Sequence, residues 1–169
     1  MTFNFGDNIK RFTSETDFIL HPNAMVMGQR TKSFDILPTG KVETFAICFY
    51  PIGFANFVKM PLENLVDKET PISELFGQVE ADILEQQMIQ AINTRQRIEI
   101  VETFLLKILS EKNTISNIVK TTVEALLKTN GTTPINVLLN DDISKRRQLE
   151  RHFKKQIGIS PKQLGKAIR

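Results

Sequence analysis

The side chains best equipped for chemistry in this 169-residue chain are nine cations in residues 143–169: Lys145, Arg146, Arg147, Arg151, Lys154, Lys155, Lys162, Lys166 and Arg169. A single acid, Glu150, accompanies them. Ammonium groups at that density suit backbone phosphates, and a guanidinium fork matches the O6 and N7 acceptors of guanine. Residues 1–142 carry thirteen Lys or Arg against eighteen Asp or Glu, so the formal net charge of +3 averages an acidic body and a basic tail.

The elements that must position these charges are legible from local signals. Thr133 can cap a short helix with Pro134 at its first position and an apolar side of Ile135, Leu138 and Leu139. Asn140-Asp-Asp142 is then the connection, and Ser144 the N-cap of a helix running to about Gln156 and stopped by Gly158. At about 100° per residue Leu149 and Phe153 share the buried side of that helix, continued by Ile157. The opposite side carries Arg147, Glu150, Arg151, Lys154 and Lys155. Ser160-Pro161 starts a third helix, whose Leu164 and Ile168 close a small core over Phe153. A solvated basic face on an ordinary surface helix is the plain alternative. Two short helices meeting through a tight connection, with cations on the outward face of the second, favour a helix-turn-helix lying in a major groove.

Upstream, β-leaning runs at Thr2–Phe5, Asp17–Leu20, Ala24–Met27, Ser33–Leu37 and Val42–Tyr50 predict four or five antiparallel strands separated by turn residues. Beyond Pro51-Ile-Gly53 the period changes to 3.6. Pro61–Val66 and Pro71–Phe76 read as short helices. Val79, Ile83, Leu84, Met88 and Ile92 form one stripe, and Ile98, Val101, Leu105 and Ile108 another, flanked by Phe104. Ile115, Val119, Val123 and Leu126 mark a further helix ended by Gly131, which places a domain boundary at Thr129–Thr133. The phenylalanine-rich first third reads as sheet core that could hide a small apolar effector site. Cys48, in the run Phe45–Tyr50, reads as a buried strand residue.

Little else points to chemistry. His21 and His152 have no second ligand at i+3 or i+4, so neither a metal site nor a histidine base is supported. Glu99, Glu102 and Glu111 read as solvent-facing helix positions, and no P-loop or dinucleotide fingerprint occurs. No apolar run approaches the ~18 residues of a membrane span, and Met-Thr-Phe-Asn-Phe-Gly-Asp lacks the features of a signal peptide, which leaves the cytoplasm as the default compartment.

Ser144-x-x-Arg147-Gln-Leu149-x-Arg151-x-Phe153, followed by Gly158-x-Ser160-Pro161-Lys162, resembles the first helix-turn-helix of the AraC-type bacterial transcription regulators. Phe49-x-Pro51-x-Gly53, Pro61-Leu-x-x-Leu65 and Pro71-Ile-x-x-Leu75-Phe-Gly77 resemble an amino-terminal region of some of them. The resemblance implies sequence-dependent binding of double-stranded DNA, with Arg147, Glu150 and Arg151 toward bases and Lys145, Lys154 and Lys162 toward phosphates. It implies an amino-terminal part that senses a small effector, forms a homodimer, or both. Two positions depart from the pattern, Asp142 where glycine is usual and Leu138 where alanine is usual. The family's DNA-binding unit has two such modules joined by a long helix, whereas the chain stops at Arg169 without a terminating residue and so reads as a piece of a longer regulator.

These readings predict an α+β chain. Residues 1–130 form a sensor or dimerisation region (strands 1–50, helices 51–130), with a small antiparallel sheet and central amphipathic helices. Residues 131–169 form an incomplete three-helix helix-turn-helix. The expected function is DNA-binding regulation without catalysis, cofactor, metal or membrane. The alternative is an effector-binding or dimerisation module that does not bind DNA alone.

Overall fold

The computed structural model describes residues 1–109, 115–139 and 142–169, and the architecture is α+β. Contacts divide these residues into two compact units, each with its own interior. The first is built from residues 1–48 and 67–109, the second from residues 49–66 and the described residues from 115 onward. This division differs from a single boundary at Thr129–Thr133. Residues 49–66 leave the first unit and return to it, and the helix before Gly131 packs with those after it.

Seven short strands occupy the first unit: β1 (Thr2–Asn4), β2 (Ile9–Phe12), β3 (Phe18–Leu20), β4 (Ala24–Met27), β5 (Ile36–Pro38), β6 (Thr44–Ala46) and β7 (Glu69–Pro71). They form two antiparallel sheets instead of the one expected, ordered β6-β1-β4-β7 and β3-β2-β5. Phe3, paired with Phe45 on one side and Ala24 on the other, is the buried centre of the first sheet. β2 escapes a pattern search because Lys10 and Arg11 interrupt its apolar alternation. The strand accommodates Lys10 by laying its ammonium 4.2 Å from the centre of the Phe18 ring.

Three helices complete this unit: α1 (Ile72–Phe76), α2 (Gln78–Gln90) and α3 (Thr94–Ile108). The apolar lines that pack are narrower than the predicted stripes. Ala81, Leu84 and Met88 are buried on α2, and Val101 and Phe104 on α3, with Phe104 edge-on to Phe76 at 5.3 Å. Val79, Ile83, Ile92 and Ile98 are exposed.

The second unit contains two 3-10 turns, Phe54–Asn56 and Leu62–Leu65, and helices α4 (Asn117–Lys128), α5 (Ile135–Leu138), α6 (Ile143–Ile157) and α7 (Pro161–Ile168). Ile115, Val119, Val123 and Leu126 are all buried, as their spacing predicts, and α4 packs on α6 and α7. Gly131 follows at φ +66. A Cβ there would lie 2.1 Å from the carbonyl oxygen of Gly165, so both the backbone angle and the approach of α7 demand glycine.

Two expectations about side chains fail. Cys48 is exposed: Ile47 extends the pairing of β6 by exchanging backbone hydrogen bonds with Met1, and in the alternation that continues through Phe49 the cysteine falls on the outward side. Of the nine early phenylalanines only Phe3 and Phe54 are buried. Phe54 belongs with Phe49 and Phe57 in the second unit, with ring centroids 5.0 and 5.7 Å from Phe49, so the aromatic richness does not describe one sheet core.

Candidate nucleic-acid interface

α6 is built from both ends by local chemistry. Its N-cap is Asp142, not the expected Ser144: one carboxylate oxygen accepts from the backbone N–H of Ser144 at 2.9 Å and of Lys145 at 3.1 Å, and from the Ser144 hydroxyl at 2.8 Å. These bonds favour the ionised form. They hold the Asp142 carboxyl down to about 2, with the backbone bond from Lys145 the largest cause and the Ser144 hydroxyl next. Aspartate where the resembled pattern has glycine therefore replaces a flexible turn residue with a capping one. At the other end Gly158, at φ +97, donates to the carbonyls of Phe153 and Lys154, and a Cβ on it would stand 3.0 Å from the Leu62 carbonyl. The 62–65 turn packs on α6 through this close approach, a support the sequence did not disclose.

Leu149 and Phe153 have no exposed surface and Ile157 has 2%, so the three anchors fix the rotation of α6 about its axis. Ser116, ahead of α4, ties the two helices together. Its backbone N–H and hydroxyl donate to Gln156 Oε1 at 3.1 and 3.2 Å, which leaves the hydroxyl oxygen able to accept from His152 Nδ1 at 3.0 Å. His152 thus serves as a positioning contact between helices. α7 starts at a capping box in which the Gln163 N–H donates to Ser160 Oγ at 3.2 Å and the Ser160 N–H donates to Gln163 Oε1 at 2.9 Å.

With the anchors inward, Arg147, Arg151, Lys154 and Lys155 project from the opposite side and are exposed. At about 100° per residue they span roughly a 100° arc. No carboxylate of the described residues pairs with any of them. Arg147, Arg151, Lys154 and Lys155 share the outward side that helical spacing gave them. The other three predicted contacts, Glu150, Lys145 and Lys162, do not stand with them in the same way. Glu150 stands toward the edge of the arc, with Arg146 Nε 3.8 Å away. Lys145 lies about 200° round the helix from Arg147, with its ammonium 3.4 Å from Asp142. Lys162 is exposed in the first turn of α7.

The predicted first helix of the motif is reduced to the single turn α5, with Pro134 as its N-cap in place of Thr133 and Leu139 buried behind it. α4 therefore supplies the longer buttress for α6. Residues 140 and 141 of the predicted connection, and Glu111, lie outside the described residues. A cavity of about 670 Å³ opens where α6 and α7 begin, lined in part by Asp142, Arg146, Glu150, Lys162, Gly165 and Arg169.

Residues 1–71 match the model of a family described as a domain of unknown function (DUF6597). No curated protein and no solved structure matches the chain. Among the described residues no helix is long and apolar enough to cross a membrane, and no three His, Cys, Asp or Glu side chains group as they would around a metal ion.

Proposed function

We propose that the chain is a DNA-binding transcription regulator whose α6 enters the major groove. The observation that carries this reading is the sorting of side chains around α6. Three apolar anchors, almost wholly buried, set its rotation, and the outward arc holds four exposed cations with no carboxylate partner among the described residues. A surface helix stabilised for its own sake gains from alternating charges at i and i+4, which offset one another. Among the described residues the ion pairs of this helix lie off the arc, at Arg146 and Glu150 (i, i+4) and at Asp142 and Lys145 (i, i+3). Unpaired cations on a rigid convex element repel each other, and a polyanion relieves that repulsion. Arg147 and Arg151, one turn apart, are the two forks suited to base edges; Lys154, Lys155 and Lys162 suit phosphates.

Selection of bound duplexes from a randomised DNA library tests the reading. The wild-type chain is expected to enrich a common sequence, and the Arg147→Ala/Arg151→Ala variant to keep salt-sensitive binding while enriching none. Both substitutions are at exposed positions, so the folded state should survive, which circular dichroism checks. Identical enrichment by the variant, or wild-type protein indifferent to DNA at low salt, would refute the assignment. The second outcome would leave the sensor or dimerisation module as the surviving reading.

A further inference from the structure

Four edge strands border the two small sheets of the first unit, β6 and β7 in one and β3 and β5 in the other. An unpaired edge offers a row of backbone donors and acceptors to any strand that fits it. The phase of the hydrogen bonds shows which groups each edge turns outward. In the four-stranded sheet the Gly28 N–H donates to the Lys68 carbonyl, so by the alternation of an antiparallel ladder the backbone groups of Glu69 and Pro71 turn away from β4. In the three-stranded sheet the Phe12 N–H donates to the Asp35 carbonyl and the Thr39 N–H to that of Asn8, so Ile36 and Pro38 turn away from β2. β5 and β7 thus each hold a proline at an outward position, where the donor that an incoming strand would need is missing. β6 turns Thr44 and Ala46 outward, with little side chain to bury against a neighbour.

β3 has no such device. The His21 N–H donates to the Ile9 carbonyl and the Thr13 N–H to the Asp17 carbonyl, each at 2.9 Å, which assigns the inward bonds to Ile19. The N–H and carbonyl of Phe18 and of Leu20 are left on the open side, where no described residue bonds to them. The strand contains no proline or charge, its register with β2 is unbroken by a bulge, and Phe18, Ile19 and Leu20 are 44%, 47% and 50% exposed. Two copies of this edge fit each other. Antiparallel pairing about a two-fold axis at Ile19 makes Phe18 of each copy exchange both backbone hydrogen bonds with Leu20 of the other, which satisfies every outward group of the strand. The row Leu37, Lys10 and Leu20 of one sheet then continues into Phe18 and Phe12 of the partner subunit, and Ile19 meets Ile19 of the partner subunit on the other face. Asp17, just before the strand, comes opposite His21 of the partner subunit, so like charges do not face each other across the join.

We propose that the open edge of β3 is a homodimer interface, at which two copies of the chain join their three-stranded sheets into one continuous sheet. An edge of 3 residues is small against the ~1,200 Å² at the lower end of stable complexes, so the copies should associate and part in the micromolar to millimolar range. This interface belongs to the first unit and does not depend on the DNA reading.

Sedimentation velocity of the wild-type chain from about 10 μM to about 500 μM should show monomer giving way to dimer. In amide hydrogen exchange over the same range, the Phe18 and Leu20 N–H groups should slow by about tenfold or more as the dimer fills. The Ile36 N–H, outward on β5, should keep its rate. Leu20→Pro gives β3 the device that β5 and β7 already have. It removes no hydrogen bond of the monomer and should weaken self-association by about tenfold or more. Leu20→Glu sets a carboxylate beside Lys10 in the monomer but against Phe18 in the dimer, and should weaken association likewise if the proline variant fails to fold. A chain that stays monomeric throughout, a dimer that leaves the Phe18 and Leu20 amides unprotected, or a folded variant that associates as tightly as wild type would overturn the proposal.

Discussion

If the outward arc of α6 meets DNA, the salt dependence of binding should count its cations. Arg147, Arg151, Lys154, Lys155 and Lys162 are exposed and free of ion pairs among the described residues. Each phosphate neutralised contributes about −0.9 to the slope of log affinity against log salt. If all five meet phosphates the slope is about −4.5; if the two arginines read bases instead, three remain and it is about −2.7. Between 50 and 200 mM salt these slopes correspond to losses of roughly 500-fold and 40-fold. The informative perturbation is Lys154→Ala/Lys155→Ala, which removes two neighbouring cations without touching Leu149, Phe153 or Ile157. Fluorescence anisotropy with a labelled duplex at four or five salt concentrations should show the slope fall in magnitude by about 1.8. Arg95→Ala, in the first unit, should change nothing. A wild-type slope weaker than about −1, or the same slope in the double variant, would mean that these cations do not face phosphates.

Two further outcomes test the scaffold. Gly131→Ala places a Cβ 2.1 Å from the Gly165 carbonyl oxygen at a φ of +66. The left-handed backbone and the forced shift of α7 together should cost about 2–5 kcal/mol, read as a lower urea midpoint. At the start of α6, Asp142→Ala should fray the helix and lower its thermal midpoint relative to wild type. Because the folded Asp142 carboxyl sits at about 2, below its ordinary 3.8, its contribution is full above about pH 4 and is lost as pH falls toward 2. The gap between wild type and variant should therefore close over that interval in acid titrations followed by circular dichroism.

Where the sequence succeeded, the governing forces act within a few residues. The α4 line of Ile115, Val119, Val123 and Leu126, the Leu149 and Phe153 anchors, the stop at Gly158 and the Ser160-Pro161 start all follow from helical spacing and capping, and each stands where those rules put it. The same rules misjudged Asp142 by two residues, since aspartate and serine compete for the cap and only the carboxylate reaches two backbone N–H groups. They also overextended the stripes on α2 and α3, because periodicity shows which residues share a face but not how much of that face meets a neighbour.

The sequence by itself determined that basic charge is concentrated in residues 143–169, that a helix there presents it on one side, and that the chain mixes strands and helices. Its means were local: charge order, periods of two and 3.6, and capping chemistry. Only the tertiary structure decided that residues 49–66 join the unit carrying α6, and that β2 is a strand despite Lys10 and Arg11. It alone brought Arg11, His21, Arg30 and Glu69 around one buried oxygen. These facts depend on antiparallel pairing and on contacts across up to 58 positions, from Arg11 to Glu69, and no local preference encodes which distant partner a charged side chain will meet.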